Sequence, residues 1–241
     1  MRKKLTVALL LVFIFNKLDA KKFSFENIME FLPENPVVLE CGAWNGRDTL
    51  KMSKLWPKGT IHAIEGSPPV YLSLVDKVRD LENVKTYPFA LGWDDGTVPF
   101  DVSTSFDKAQ GSILPPSKSM WPWPHVKFNK GDIVDVPMLK LDTWAEENEV
   151  DHIDFMWLDM QGSDFNMLMA STRILETVKV IKLEISTGEF YEGTVLFDEG
   201  KAFLESRGFV CLDKFVFPVR RKWEHGDALF IRKDLIHPQD H

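Results

Sequence analysis

The sequence predicts an α/β protein with a doubly wound, mostly parallel sheet, an antiparallel closing strand and an inserted β/loop segment. Three observations lead there. Short apolar runs alternate with amphipathic runs through most of the chain, the pattern of strand–helix–strand units. The first such run, VVLEC (37–41), enters a loop with two glycines, GAWNG (42–46). The last two runs, FVCLDKFVF (209–217) and DALFIRK (227–233), leave no room for a crossover helix and must pair antiparallel.

The elements follow in order. VVLEC is a continuous apolar run, the mark of a parallel strand buried on both faces. Residues 48–55 form a helix that ends before Pro57 and Gly59. TIHAIE (60–65) is the second strand. Residues 69–81 form a helix with Val70, Leu74 and Val78 on one face. VKTYPFAL (84–91) is the third strand. TVPFDVS (97–103) is an extra strand outside the alternation, and a return strand lies within 132–140. Between them, residues 104–125 hold Pro115, Pro116, Pro122 and Pro124, which forbid regular structure. Residues 141–149 form a helix with Asp142 as its expected N-cap. The alternation resumes with strand 152–160, helix 165–175, strand 178–186 and helix 196–206, which stops at Gly208.

The 241 residues suffice for one sizeable core, and 44% hydrophobic with 27% charged residues is ordinary for a globular chain. A net charge of −7 argues against a nucleic-acid partner. Arg220, Arg221 and Lys222 are too small a basic footprint to reverse that and read as a solvated loop. Two cysteines, Cys41 and Cys211, make neither a disulfide framework nor a zinc site; Cys41 reads as a small buried apolar residue. The six histidines have no partners at ligand spacing, so no metal is expected. At the N-terminus, Arg2, Lys3 and Lys4 precede the apolar run of residues 5–15. Residues 1–22 therefore read as a secretory signal peptide or a short membrane anchor, with a soluble N-terminal element as the third possibility. The expected location is secretory or membrane-associated, with membrane association through residues 5–15; the alternative is cytoplasmic. Residues 23–241 are expected to form a single domain.

The glycine loop indicates the ligand. In a dinucleotide site the second glycine of G-x-G-x-x-G lets the backbone approach a pyrophosphate. Here Trp44 holds that position, and Glu40 places an acid at the loop mouth, which repels phosphate and suits a cation. A nicotinamide-dependent oxidoreductase is accordingly disfavoured. S-adenosylmethionine fits: it carries adenosine without phosphate, a sulfonium and an ammonium. Backbone groups of Gly42, Ala43, Asn45 and Gly46 would hold its methionine end, with Glu40 attracting the ammonium. Glu65, followed by Gly66 and Ser67, stands where nucleotide folds place an acid on the ribose hydroxyls.

These residues resemble the FkbM family of S-adenosylmethionine-dependent methyltransferases. The resemblance covers roughly residues 35–233. Its pieces run in order: VLECGAWNGRDT, IHAIEGSP, VKTYPFALGWDDG, QGSIL, VPMLKLDTW, IDFMWLDMQGSDFNML, VIKLEIS and FLESRGFVC. The family's D-x-G-A-N-x-G loop corresponds to Glu40-Cys41-Gly42-Ala43-Trp44-Asn45-Gly46, with the acid changed and the asparagine displaced by one place. Its K-I-D-V-E-G-x-E segment corresponds to Trp157-Leu158-Asp159-Met160-Gln161-Gly162-Ser163-Asp164.

The resemblance implies a seven-stranded class I methyltransferase sheet and O-methylation of a hydroxyl on a sugar, glycan or other small molecule. It places Ser112 and Gln161 near the cofactor, and Ala90 and Leu91 along the adenine slot. Asp159 is the first candidate for a general base or a cofactor contact, because it ends a central strand beside the cofactor strand. His125, which titrates near neutrality, is the second candidate base. Glu184 ends the next strand and could face the same cleft. Trp121 and Trp123 could wall an acceptor site. The Trp157 and Gln161 departures also leave open a non-catalytic binding protein on the same fold.

Overall fold

A computed structural model of the chain describes residues 25–102, 109–117, 133–220 and 223–236. The expectations for residues 1–22, Trp121, Trp123, His125, Arg221 and Lys222 lie outside the described residues.

A short helix α1 (Phe25–Ile28) precedes the first strand, β1 (Val37–Cys41). Then come α2 (Arg47–Leu55), β2 (Thr60–Ile64), α3 (Pro68–Val78), β3 (Val84–Tyr87), β4 (Ala90–Gly92), β5 (Gly96–Asp101) and β6 (Ile133–Lys140). The second half has α4 (Leu141–Glu147), β7 (Phe155–Leu158), α5 (Asp164–Ala170), α6 (Thr172–Leu175) and β8 (Val180–Ser186), then α7 (Phe197–Ser206), β9 (Phe209–Arg220) and β10 (Trp223–Arg232). The main sheet has seven strands in the order β3-β2-β1-β7-β8-β10-β9. All neighbours are parallel except β10, which runs antiparallel to both β8 and β9. The chain winds outward from β1 in one direction and resumes on its other side at β7. The switch point therefore falls between β1 and β7, and a crevice opens at their carboxyl ends.

The strands are buried as their composition requires. Side chains alternate across β1, so Val38 joins one core with Met52, Trp56, Ile61 and Phe155, while Leu39 and Cys41 join another with Leu158, Ile181 and Phe230. Cys41 is a buried small side chain, as expected.

Three local expectations change. The run 84–91 is not one strand: Pro88 has no N–H to donate, and the chain leaves the main sheet there. Its second part, β4, joins β6 and β5 in a small separate sheet, which is the inserted segment. The helix expected over 165–175 breaks at the fully buried Ser171 into α5 and α6. Asp142 does not cap its own helix. Its carboxylate accepts the Arg173 and Ile174 N–H groups at 3.0 and 2.9 Å, capping α6 from a neighbouring helix. The α4 start is capped by Asp95, whose two oxygens accept the Lys140 N–H (2.8 Å) and the Thr143 hydroxyl (3.0 Å).

The end of the sheet opposite the crevice is tied by Asp154, 2% exposed. Its carboxylate accepts the Val37 N–H at 2.9 Å and the Lys179 ammonium at 2.7 Å, joining the starts of β1, β7 and β8. Asp154→Ala leaves a backbone donor and a cation without this partner. It should cost about 2–4 kcal/mol, a fall of roughly 5–15 °C in melting temperature on thermal denaturation. A loss within experimental error would show that Asp154 does not tie these strands.

Candidate functional site

The crevice is floored by the loop after β1. Gly42 has φ 75°, and a Cβ there would sit 1.9 Å from the Asp159 carbonyl oxygen, so only glycine allows the two strand ends to meet. Gly46, φ 76°, precedes the first turn of α2. Trp44 has φ 47°, left-handed backbone without glycine's freedom. Its N–H donates to Glu65 Oε2 at 2.8 Å.

Three more loop donors are also taken. The Gly42 and Ala43 N–H groups both donate to the Ile64 carbonyl at 3.0 Å, and Gly46 N–H donates to the Ala43 carbonyl at 2.9 Å. Arg47 N–H donates to Asn45 Oδ1 at 3.2 Å. In a dinucleotide site such groups would face the pyrophosphate; here the chain itself uses them.

The cleft above this loop encloses about 870 Å³ including its solvent mouth, within the range of small-molecule sites. It is lined by Glu40, Gly42, Ala43, Glu65, Gly66, Ser67, Ala90, Leu91, Asp159 and Gln161, all anticipated from sequence. Asn45, Gly46 and Ser112 are not among the lining residues. Asn45 and Gly46 instead shape the turn into α2. The Ser112 hydroxyl donates to the Gln161 carbonyl at 2.9 Å, so this residue fixes the inserted segment against the loop after β7. Sequence reasoning missed Trp44 as a lining residue, together with Phe89, Phe100 and Ile113 beside Ala90 and Leu91. Phe100 and Ile113 reach the cleft only because the inserted sheet folds over it.

Four carboxyl groups crowd this cleft: Glu40, Asp48, Glu65 and Asp159. Glu65 is 6% exposed; Trp44 N–H holds one oxygen and Ser67 N–H the other at 2.7 Å. Burial raises its pKa and the two N–H groups restrain the rise, leaving it at about 6. Glu40, 1% exposed, accepts the Thr49 hydroxyl. Burial, then the neighbouring Asp48, Glu65 and Asp159, push its pKa up to about 8 against the restraint of Thr49. Without ligand, Glu40 therefore ionises reluctantly at neutral pH, which weakens the expectation of a standing negative charge there. The negative potential comes from the other acids. Asp159 accepts the Gln161 side-chain amide at 2.7 Å, and burial followed by Glu184 raises its pKa to about 7.

Gln161, φ 52°, leads from this cleft to a second one. Its amide nitrogen also lies 3.3 and 3.4 Å from the Glu184 oxygens, and its carbonyl accepts the Tyr191 hydroxyl at 2.8 Å. Glu184 Oε1 in turn lies 3.0 Å from His225 Nε2. The second cavity is lined by Gly162, Asp164, Glu184, Phe190, Tyr191 and His225, among others. Glu184, expected to face the same cleft as Asp159, lines this second cavity instead and reaches the first cleft only through the Gln161 amide. Tyr191 and His225 were missed: they are distant in sequence, and nothing local marks either. Among the described residues, no group of three or more His, Cys, Asp or Glu is placed to hold a metal ion, and no helix is long and apolar enough to cross a membrane.

Comparison with known proteins identifies the family. The model of the methyltransferase FkbM domain matches residues 40–211. A protein of Sinorhizobium fredii named 2-O-methyltransferase NoeI is 26% identical over 164 residues, which are 66% of this chain and 67% of the relative. Among solved structures, the Aeropyrum pernix fibrillarin bound to S-adenosyl-L-methionine is 14% identical with a TM-score of 0.46, over 83% of this chain and 69% of that one. The methyltransferase FkbM of Methylobacillus flagellatus is 13% identical with a TM-score of 0.49, over 82% of this chain and 44% of that one. With the family model spanning most of the folded chain and a class I sheet around its first cleft, the protein belongs to the FkbM methyltransferases and is an S-adenosylmethionine-dependent enzyme.

Proposed function

We propose that the protein methylates a hydroxyl group on a sugar, glycan or other small-molecule acceptor, with S-adenosylmethionine held in the first cleft. The observation that carries the cofactor site is the use of the loop donors. With the N–H groups of Gly42, Ala43, Trp44 and Gly46 bonded within the chain, these four donors are not open to a phosphate. The acids around it suit a ligand with two positive centres. The hydroxyl acceptor is supported by the relative named as a 2-O-methyltransferase.

When bound, the cofactor supplies a methyl group on a positively charged sulfur. The chain's own residues then have separable tasks. Glu65 uses one lone pair on each oxygen for the Trp44 and Ser67 N–H groups, and the remaining pairs accept the ribose hydroxyls. Ala90, Leu91, Phe89 and Ile113 give the adenine an apolar slot. Asp159, turned to the cleft and steadied by Gln161, attracts the ammonium. Methyl transfer needs alignment above all, so this preorganisation is the main catalytic contribution of the cleft.

Glu65→Ala removes a buried, charge-assisted pair of acceptors. It should weaken S-adenosylmethionine binding by about 2–3 kcal/mol, or roughly 30- to 150-fold in Kd by calorimetry. An unchanged Kd would take Glu65 out of the site.

Glu40 gives a pH-dependent prediction. Its folded pKa, about 8, lies above the ordinary carboxyl value of 4.5, so the folded chain binds more protons than the unfolded one between those limits. Stability associated with Glu40 is therefore full below pH 4.5 and is lost as pH rises toward 8. Glu40→Gln cannot ionise. Without ligand, its melting temperature relative to wild type should climb between pH 4.5 and 8 and level off above. A difference that stays flat across this range would show that Glu40 is ionised throughout.

A further inference from the structure

The second cavity holds two polar atoms with no hydrogen-bond partner among the described residues. They are Asp164 Oδ2 and His225 Nδ1, both buried. An unpartnered buried polar atom is costly, and two on one cavity call for a partner that brings its own hydrogen bonds, a water molecule or the hydroxyl of a ligand. The space suits a small group: about 20 Å³ is open to the centre of a water-sized group, close to the need of a single oxygen. A hydroxyl has the matching chemistry, with one proton to donate and lone pairs to accept. The Phe190 and Tyr191 rings form part of the wall.

The imidazole is held in a particular way. Its Nε2 lies 3.0 Å from Glu184 Oε1, and the carboxylate can only accept, so Nε2 carries the hydrogen. In the neutral ring this leaves a bare lone pair on Nδ1, as in sites where a carboxylate fixes the tautomer of a basic histidine. The same carboxylate lies 3.3 and 3.4 Å from the Gln161 amide, which lines the cofactor cleft. His225 thus stands one carboxylate away from the wall of that cleft. We propose that the second cavity seats the acceptor hydroxyl and that His225 is its general base, taking the proton on Nδ1 while Glu184 holds Nε2–H.

This rests on the hydroxyl-methylation reading above. In the step, the acceptor oxygen bonds to the methyl carbon as its O–H bond breaks. The proton goes to Nδ1, and the pair of the broken C–S bond stays on sulfur, which becomes neutral. The imidazolium is paired with Glu184 and returns its proton to solvent after the product leaves. Burial alone would lower the His225 pKa. The Glu184 hydrogen bond and charge, with Asp159 and Asp227, outweigh burial and raise it. The titratable groups around the ring are therefore Glu184 on β8, Asp159 beyond β7 and Asp227 on β10, with Tyr191 and the Asp164 carboxyl of α5, which burial pushes well above its usual range, on the same cavity, and β9 presents the Phe217 ring.

Two measurements test the assignment. The first needs no acceptor: nitrogen-15 NMR of histidine-labelled full-length protein with saturating S-adenosylmethionine, titrated in pH. The expected result is a neutral His225 protonated on Nε2, titrating above 6.5 and shifted down in Glu184→Gln. A neutral form protonated on Nδ1, or a titration unmoved by Glu184→Gln, overturns the proposal. The second measures methyl transfer to a panel of hydroxylated acceptors, including simple glycosides and chito-oligosaccharides. His225→Gln keeps an amide for Glu184 but has no base at the Nδ1 position. Its kcat should fall about 100- to 10,000-fold and the wild-type pH-rate rise should disappear, with the calorimetric Kd for S-adenosylmethionine unchanged. Wild-type kcat in His225→Gln overturns the role of His225 alone. If wild type binds S-adenosylmethionine yet methylates no hydroxyl, the hydroxyl-methylation reading falls and takes this inference with it.

Discussion

The Glu65 carboxylate holds two turns in place at once, and the shape of the cofactor cleft depends on it. One oxygen fixes the Trp44 N–H and the other the Ser67 N–H. The first bond keeps a tryptophan in left-handed backbone, a conformation that costs about 1–3 kcal/mol. Hydrogen bonds to a charged group contribute about 1.5–3 kcal/mol each. The two terms are of the same order, so the loop keeps its form as long as the carboxylate remains charged. Burial works against that charge and the N–H groups work for it. The balance, a pKa of about 6, leaves Glu65 ionised at neutral pH and still able to accept.

The same balance falls differently for the neighbouring acids. Glu40 has only the Thr49 hydroxyl to set against burial and three other acids, and its pKa reaches about 8. Asp159 has the Lys182 charge and the Gln161 amide, and reaches about 7. Without a ligand the cleft is a place where carboxyl groups ionise reluctantly. A cation entering it would relieve the crowding and favour ionisation of these groups, so attraction would grow as the ligand arrives. A phosphate would meet opposite conditions: four acids against the single Arg47 cation among the described lining residues, and four loop donors already engaged. Selection for a positively charged nucleoside thus follows from the whole group of acids rather than from Glu40 alone.

Much of this was legible in the sequence because it is local. VVLEC, TIHAI and the glycine loop announce strand, turn and helix within a few residues, and Glu65 stands at the end of the strand after the loop, a spacing that β–α–β geometry fixes. Gly42 could be read as essential to the turn, although the reason, the Asp159 carbonyl against its Cα, lies more than a hundred residues away in the chain. The break at Pro88 was written in the sequence too, and the run of apolar residues around it concealed the break. Loss of one ladder donor outweighs strand propensity where the chain has another sheet to join. Asn45 and Ser112 illustrate the opposite limit. Their types suit ligand contacts, but their hydrogen bonds close the loop on itself and on Gln161. Only the fold decides which partner a short polar side chain finds. Asp142, which caps α6 instead of α4, is another case.

His225 was illegible for a reason that lies in the topology. In a parallel sheet the carboxyl ends of the strands share one rim, so only residues just after each strand can reach the ligand. The reversed direction of β10 changes this. Its first residues, not its last, lie at that rim, and His225 pairs with Ser186, the last residue of β8. An antiparallel strand between β8 and β9 therefore delivers a side chain from its amino end to the place where β7 and β8 deliver theirs from their carboxyl ends. Glu184 and His225 meet because of that reversal, and Gln161 connects the meeting point to the cofactor cleft. Had β10 run parallel to β8, position 225 would lie at the far end of the sheet beside Asp154 and Lys179, and Glu184 would have no imidazole to hold.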